Sequence, residues 1–253
     1  MTTLVDRLRN AGCVFAEDEA AVLTSAATGR DHLEQMVLRR VAGEPLEQVV
    51  GWADFAGIRV RVDPGVFVPR RRSELLARRA VDLTRPGTVV VDLCCGTGAI
   101  GGVICSKVAD VTLHASDLDP AAAACAATNL EPHGGIVHQG DLYDALPPTL
   151  QGRVDVMVAN APYVPTRDIA FMPAEAREHE PAVALDGGVD GVDLHRRIAS
   201  GALDWIAPRG HLLIETSDRQ EPVTTAILRA AGLTCDTVRD ADLDATVVIA
   251  QAP

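Results

Sequence analysis

The chain has 253 residues, 47% hydrophobic and 23% charged with 3% aromatics, enough for one sizeable domain with an appendage or for two small ones. Its formal net charge of −12 disfavours binding to nucleic acid through general electrostatics, because neutralising phosphates needs a basic face. No apolar run is long enough for a membrane span, no export signal opens the chain, and the cysteines (13, 94, 95, 105, 125 and 235) lack CxxC spacing; these features predict a reducing cytoplasm and no zinc site or disulfide framework.

Residues 4–41 carry apolar positions at helical spacing, with Leu4, Leu8, Leu23, Leu33, Val37, Leu38 and Val41 along one side of two or three short helices. Gly43-Glu44-Pro45 stops them, and 51–62 reads as two short strands turning near Ala56-Gly57. Residues 1–70 are expected to form a small helical domain ending in a hairpin, and 71–253 a second domain. A helix is predicted from Ser73, its N-cap, to Leu83. Strands then alternate with helices: strands at 89–93, 111–115, 136–138, 154–159 and 211–215, helices at 98–107, 120–130, 192–205 and 221–231. Segments 234–238 and 246–250 close the chain as an antiparallel edge hairpin. The alternation specifies an α/β fold with a mostly parallel sheet covered on both faces. The stretch 164–190 is too long for an ordinary connection and is expected to serve the site or cover it.

Strand ends carry the chemistry, because ligands of open α/β sheets bind at the carboxyl edge. Asn160-Ala161-Pro162-Tyr163 follows the 154–159 strand and places an amide oxygen, a stiff turn and an aromatic face together. Such a set suits a planar group bearing NH2. Asp92-Leu93-Cys94-Cys95-Gly96-Thr97-Gly98 is a strand end, a small-residue loop and a helix start, open to close approach by a ligand. Asp117 follows about twenty residues beyond Gly98, where an acid can take both hydroxyls of a ribose. Asp141 follows the next strand, placed for the amine of an adenine. A short loop without phosphate-facing glycines, in an acidic pocket, favours S-adenosylmethionine over NAD. Arg70, Arg71, Arg72, Arg78 and Arg79, with Arg39 and Arg40, form the one basic concentration; it is either a solvated face paired with carboxylates or a docking patch for an acidic or RNA-associated partner. The histidines lack metal spacing, and His179, His195 and His211 read as surface or helix-end residues.

The sequence resembles the HemK/PrmC protein-(glutamine-N(5)) methyltransferases over roughly residues 40–250. The resemblance rests on Gly43-Glu44-Pro45-Leu46, Val50-Gly51 and Phe55 with Gly57; on Asp63 to Arg70; on Asp92 to Ile100; on Asn160 to Tyr163; and on Glu180-Pro181 with Ala184 to Gly188 and Asp190-Gly191. It implies a Rossmann-like class I methyltransferase domain with a seven-stranded sheet, behind an N-terminal helical domain that helps recognise a protein. It implies a cofactor site of Asp92, Cys94, Gly96, Gly98, Asp117, Leu118, Asp141, Leu142 and Asn160. It also implies a catalytic set of Asn160, Ala161, Pro162 and Tyr163, in which Asn160 and the Ala161 carbonyl grip a glutamine carboxamide and Tyr163 packs on its plane. The expected acceptor is a release factor, in its GGQ segment, or a ribosomal protein, met by a monomeric enzyme.

Three departures stand out: Ala161 where the family has proline, Cys94 where it commonly has glycine, and Arg71-Arg72-Ser73 where it has proline, an acid and threonine. Two competing functions remain open on sequence alone: an N(6)-adenine or other exocyclic-amine methyltransferase acting on nucleic acid, and a non-catalytic S-adenosylmethionine-binding regulator.

Overall fold

A computed structural model describes residues 3–253. Three helices open the chain: α1 (Leu4–Asn10), α2 (Ala16–Ala26) and α3 (Arg30–Val41). Thr3 and Asp6 form a reciprocal capping box on α1, satisfying backbone donors that a helix start leaves free. A short α4 (Leu46–Val50) follows, then the hairpin β1 (Trp52–Phe55) and β2 (Ile58–Arg61). The four helices bury a core of their own, built on Leu8, Leu23, Met36, Val37 and Val49. Truncating Leu8 or Leu23 there would cost about 2–5 kcal/mol. The hairpin belongs elsewhere: Phe55 and Val60 pack into the core beneath the main sheet.

The remaining elements are α5 (Glu74–Leu83), β3 (Val89–Leu93), α6 (Ala99–Lys107), β4 (Thr112–Asp117), α7 (Pro120–Leu130), β5 (Ile136–Gln139), β6 (Val154–Ala159), α8 (Ala174–His179), α9 (Asp193–Trp205), β7 (Ile206–Thr216), α10 (Glu221–Ala230), β8 (Thr234–Asp240) and β9 (Ala245–Gln251). They build one seven-stranded sheet in the order β5-β4-β3-β6-β7-β9-β8. The first five strands run parallel, while β9 enters antiparallel between β7 and β8. The expected mostly parallel sheet with an antiparallel final pair is therefore observed.

Side chains alternate across the sheet. Val90 faces the core shared with α5, α6 and the hairpin, whereas Val91 and Leu93 face the core shared with α9 and α10. Burial on both faces explains why β3 and β6 read as near-continuous apolar runs.

Some local expectations need correction. Ser73 sits at the start of α5 but makes no capping bond; a short 3₁₀ turn, Arg71–Ser73, leads in, and the hydroxyl is used elsewhere. The strand expected at 111–115 runs to Asp117, and the strand expected at 211–215 spans Ile206–Thr216. His195 is no surface residue: it is wholly buried, with Nδ1 2.9 Å from Thr224 Oγ1, linking α9 to α10. Burial lowers its pKa to about 4, so the imidazole is neutral there. Among the described residues, no helix is long and apolar enough to cross a membrane.

Candidate active site

A cavity of about 1010 Å³ opens over the carboxyl ends of β3, β4, β6 and β7. It is lined by Cys94, Gly96, Asp117, Leu118, Asp141, Leu142 and all four residues from Asn160 to Tyr163. Parallel strands deliver these residues together because their carboxyl ends share one edge. Asp92 and Gly98 stand behind the wall rather than in it.

Asn160 follows β6, and its Nδ2 donates to Ser73 Oγ at 3.0 Å. That bond fixes the amide's orientation and leaves Oδ1 as the end free to accept. Ala161 is buried, so its side chain anchors the turn in the core. Tyr163 is held at both ends. Its backbone carbonyl accepts from Gln220 Nε2 at 2.8 Å. Its hydroxyl donates to Glu215 Oε1 at 3.2 Å and accepts from Arg72 at 3.3 Å. Burial, then the Glu215 carboxylate, pushes the phenol up to about 12, so it stays protonated.

Glu215 stands near the carboxyl end of β7, is 2% exposed and lines the cavity, with no partner on Oε2. Burial raises its pKa; the Ser73 hydroxyl, Arg72 and Tyr163 pull it back down.

The loop after β3 is held from the neighbouring strand. Asp117 Oδ2 accepts from the Gly96 N–H at 2.8 Å and Oδ1 from the Asp119 N–H at 2.9 Å. The cap of α7 is Asp119, whose Oδ1 accepts from Ala121. Asp117 thus shapes the loop and still lines the cavity. Cys94 and Leu142 both sit at positive φ, 54° and 48°, on the cavity wall. Such strain at non-glycine residues gathers where a site over-determines the backbone. Burial pushes the Cys94 thiol far up, which favours its protonated form. Gly96, at φ +55°, has nothing within 4 Å of where a Cβ would stand, which leaves the loop surface open to a ligand. Gly98 caps α6 at φ +75° and lets Leu130 and Ala126 pack close.

Asp92 is 1% exposed; Oδ2 accepts from the Gly101 N–H at 3.0 Å, while Oδ1 has no partner. Burial raises its pKa to about 7. Asp141 pairs with Arg197 at 2.8 Å on the cavity rim.

The stretch 164–190 folds over the cavity, and Met172 and Pro181 to Gly188 line it. It contains α8 and two 3₁₀ turns, with a bridge from Val164 to Asp186. Gly187 explains its close fit: a Cβ there would stand 2.7 Å from Tyr163 Cα and 2.8 Å from the Pro162 carbonyl. Arg40 ties α8 to the N-terminal helices through Glu175 at 2.9 Å and Glu19 at 2.6 Å. Arg70 binds the buried Glu180 at 2.5 Å.

Sequence reasoning missed Ser73 as the partner of Asn160, along with Glu215, Gln220, Glu180 and Arg197. One signal was present for Glu215, because an acid closing a predicted strand falls at the same edge as Asp117 and Asn160.

The residues fit S-adenosylmethionine. Carboxylates suit ribose hydroxyls and a sulfonium, the Gly96 loop is open, and the cavity has room for a cofactor beside an acceptor. The family model "Methyltransferase small domain" matches residues 57–178. A release factor glutamine methyltransferase from Streptomyces coelicolor is 36% identical over 81% of this chain and 78% of its own length. Another, from Geobacter sulfurreducens, is 33% identical over 81% and 72%. A 4-amino-L-phenylalanine/4-methylamino-L-phenylalanine methyltransferase from Streptomyces pristinaespiralis is 38% identical over 78% and 69%. Among solved structures, a methyltransferase from Pyrococcus furiosus superposes with a TM-score of 0.58 at 15% identity, covering 77% of this chain and 88% of that one. The fold is therefore the Rossmann-like class I fold of S-adenosylmethionine-dependent methyltransferases, and with these sequence identities over most of its length the chain belongs to the release factor glutamine methyltransferase family.

Proposed function

We propose that this protein methylates the side-chain amide nitrogen of a glutamine in a protein, with a peptide chain release factor as the first acceptor to examine and a ribosomal protein as the next. The observation that carries the reading is the Asn160–Ser73 bond: with Nδ2 committed, Oδ1 is held as an acceptor at the cavity floor. A carboxamide nitrogen is a poor nucleophile because its lone pair is delocalised into the carbonyl. Asn160 Oδ1 and the Ala161 carbonyl would accept its two N–H bonds, orient the nitrogen and raise its electron density. Tyr163, locked by Glu215 and Gln220, would pack against the carboxamide plane. Positioning and fixed dipoles then carry the rate enhancement, with no strong base required.

Asp117, Asp141, the Gly96 loop, Cys94, Leu118 and Leu142 would hold S-adenosylmethionine, which when bound supplies an electrophilic methyl on a sulfonium. Asp92 would act from behind the loop, fixing the start of α6 through Gly101. The N-terminal helices, within residues 1–70, would recognise the protein acceptor, and Arg40 connects them to the segment that covers the cavity.

A second reading has one observation in its favour, the 38% identity to the 4-amino-L-phenylalanine methyltransferase. The Asn160 and Ala161 acceptors would seat an aromatic NH2 as readily as a carboxamide. Peptide mass spectrometry after incubation with S-adenosylmethionine tests both readings, with a release factor, ribosomal proteins and 4-amino-L-phenylalanine offered in turn. A single-methyl gain on one glutamine, lost in Asn160→Ala while cofactor affinity survives, is the expected result. Equal loss of turnover and cofactor binding in that variant would overturn the role of Asn160 as the acceptor's grip.

A further inference from the structure

The arginines singled out in the sequence separate into two groups in the structure. Arg39, Arg40, Arg70, Arg78 and Arg79 each form an ion pair, with Glu44, Glu19 and Glu175, Glu180, Asp240 and Asp82 in turn. Arg71 and Arg72 do not. Among the described residues no carboxylate lies within ion-pair distance of either, and Arg72 reaches only the Tyr163 hydroxyl. Both are exposed, and both line the cavity. In a chain of net charge −12, two arginines at the mouth of the active site that form no direct ion pair are not explained by surface pairing, although Arg72 lies near Glu215 through the Tyr163 hydroxyl.

Their placement within the cavity is also specific. The sheet order puts β4 and β5 on one side of β6 and puts β7 and β9 on the other. Asp117, Asp119 and Asp141 line the first side. Arg72, Tyr163, Glu215 and Leu243, from the turn before β9, line the second. Asn160 lies between them, at the end of β6. Acids dominate the cofactor side, where the cation Arg197 is paired with Asp141, whereas on the acceptor side Arg72 shares the Tyr163 hydroxyl with the buried Glu215 and forms no direct ion pair. Arg71 and Arg72 stand where the resembling family has proline and an acid, so the local charge is reversed in this chain.

We infer that Arg71 and Arg72 are specificity-determining residues that select an acceptor with a carboxylate close to the methylated nitrogen. This deepens the proposed function, on which it rests, by giving the acceptor a charge. A guanidinium offers paired N–H donors that match a carboxylate, and a partly enclosed site strengthens the attraction relative to open solvent. The carboxylate has two chemical sources: acidic side chains flanking a glutamine in a protein, or the free acid of an amino acid.

The test uses the full-length protein saturated with S-adenosylhomocysteine, so that only the acceptor side is read. Three labelled glutamine peptides of equal length, flanked by Asp and Glu, by Ser, or by Lys, are titrated by fluorescence polarisation. The acidic peptide should bind about tenfold more tightly than the lysine peptide, with the gap shrinking as salt is raised. The double variant Arg71→Glu/Arg72→Glu should invert the order, and Arg71→Gln/Arg72→Gln should abolish the preference, both with S-adenosylhomocysteine affinity unchanged. Equal binding of the three peptides, or a preference for lysine in the unaltered protein, overturns the inference. Displacement of the acidic peptide by free L-glutamine but not by its C-terminal amide assigns the carboxylate to an amino acid; displacement by neither assigns it to flanking side chains. If the acidic peptide binds preferentially yet gains no methyl with S-adenosylmethionine, the charge selection stands and the amide-methylating reading fails.

Discussion

The Asn160 side-chain amide donates to Ser73 Oγ at 3.0 Å across 87 positions of sequence. One residue of the turn after β6 is thereby oriented by the residue that leads into α5. The serine gives up a capping role to do this, and its hydroxyl also lowers the pKa of Glu215. Ser73 is 2% exposed, so water does not replace it easily. Ser73→Ala should let the Asn160 amide rotate and reduce kcat by about tenfold to a hundredfold. Ser73→Thr, which keeps the hydroxyl, should retain most activity. Steady-state kinetics decides; equal activity of the alanine and threonine variants would show that the bond does not orient Asn160.

Glu215 should matter as an acceptor more than as a charge. Glu215→Ala leaves the Tyr163 hydroxyl proton without its partner in a half-buried site, at a cost of about 1–3 kcal/mol. Glu215→Gln still offers an oxygen to that hydroxyl. Turnover should fall in the alanine variant and recover largely in the glutamine variant, with cofactor affinity constant in both. Loss in both variants would instead demand the carboxylate itself.

Gly187 tests how tightly the covering segment fits the catalytic turn. A Cβ there meets backbone atoms of Tyr163, Pro162 and Gly191 at 2.7–2.8 Å, none of which can rotate away. Gly187→Ala should lower stability by about 1–3 kcal/mol through overpacking. It should also cut kcat by about a hundredfold, because the displaced turn carries Asn160 and Tyr163 with it. Thermal unfolding and kinetics measured on the same preparation check both; a stability loss without a kinetic one would separate the segment from catalysis.

Asp92 should make the protein less stable as pH rises. Folding raises its pKa from the ordinary 3.8 to about 7, chiefly through burial, so the folded state holds the proton more tightly than the unfolded chain. Its contribution is fully present below about pH 4 and is lost as pH climbs through about 7. Asp92→Asn imitates the protonated form. It should leave Tm unchanged at about pH 4 and raise stability at about pH 8 by on the order of 4 kcal/mol. Parallel Tm curves for the two proteins across that range would refute this.

Local chemistry makes much of the site legible in the sequence. The Asn160 to Tyr163 turn, the Asp92 to Gly98 loop, Asp117 and Asp141 each follow a strand whose apolar run is visible there. The carboxyl-edge rule places them on one edge of the sheet, and Cys94, Gly96, Asp117, Asp141 and Asn160 to Tyr163 line the cavity there. The residues that orient the site are hidden for the opposite reason. Glu215 reaches Tyr163 across 52 positions and Gln220 reaches it across 57, and neither pairing leaves a local pattern. His195 is equally illegible, because one polar residue on an amphipathic helix shows nothing of its partner on α10.

What the sequence determined by itself was the order of strands and helices, the parallel sheet with its antiparallel end, and the acids and amide that stand at its edge. Periodicity and turn chemistry act within a few residues, so they survive in one dimension. Only the tertiary structure decided which of the arginines find carboxylates and which face the cavity, and that Asp92 lies behind the loop it supports. Those outcomes depend on contacts between strands and loops far apart in the chain, where burial and charge are properties of the assembled space and not of any segment.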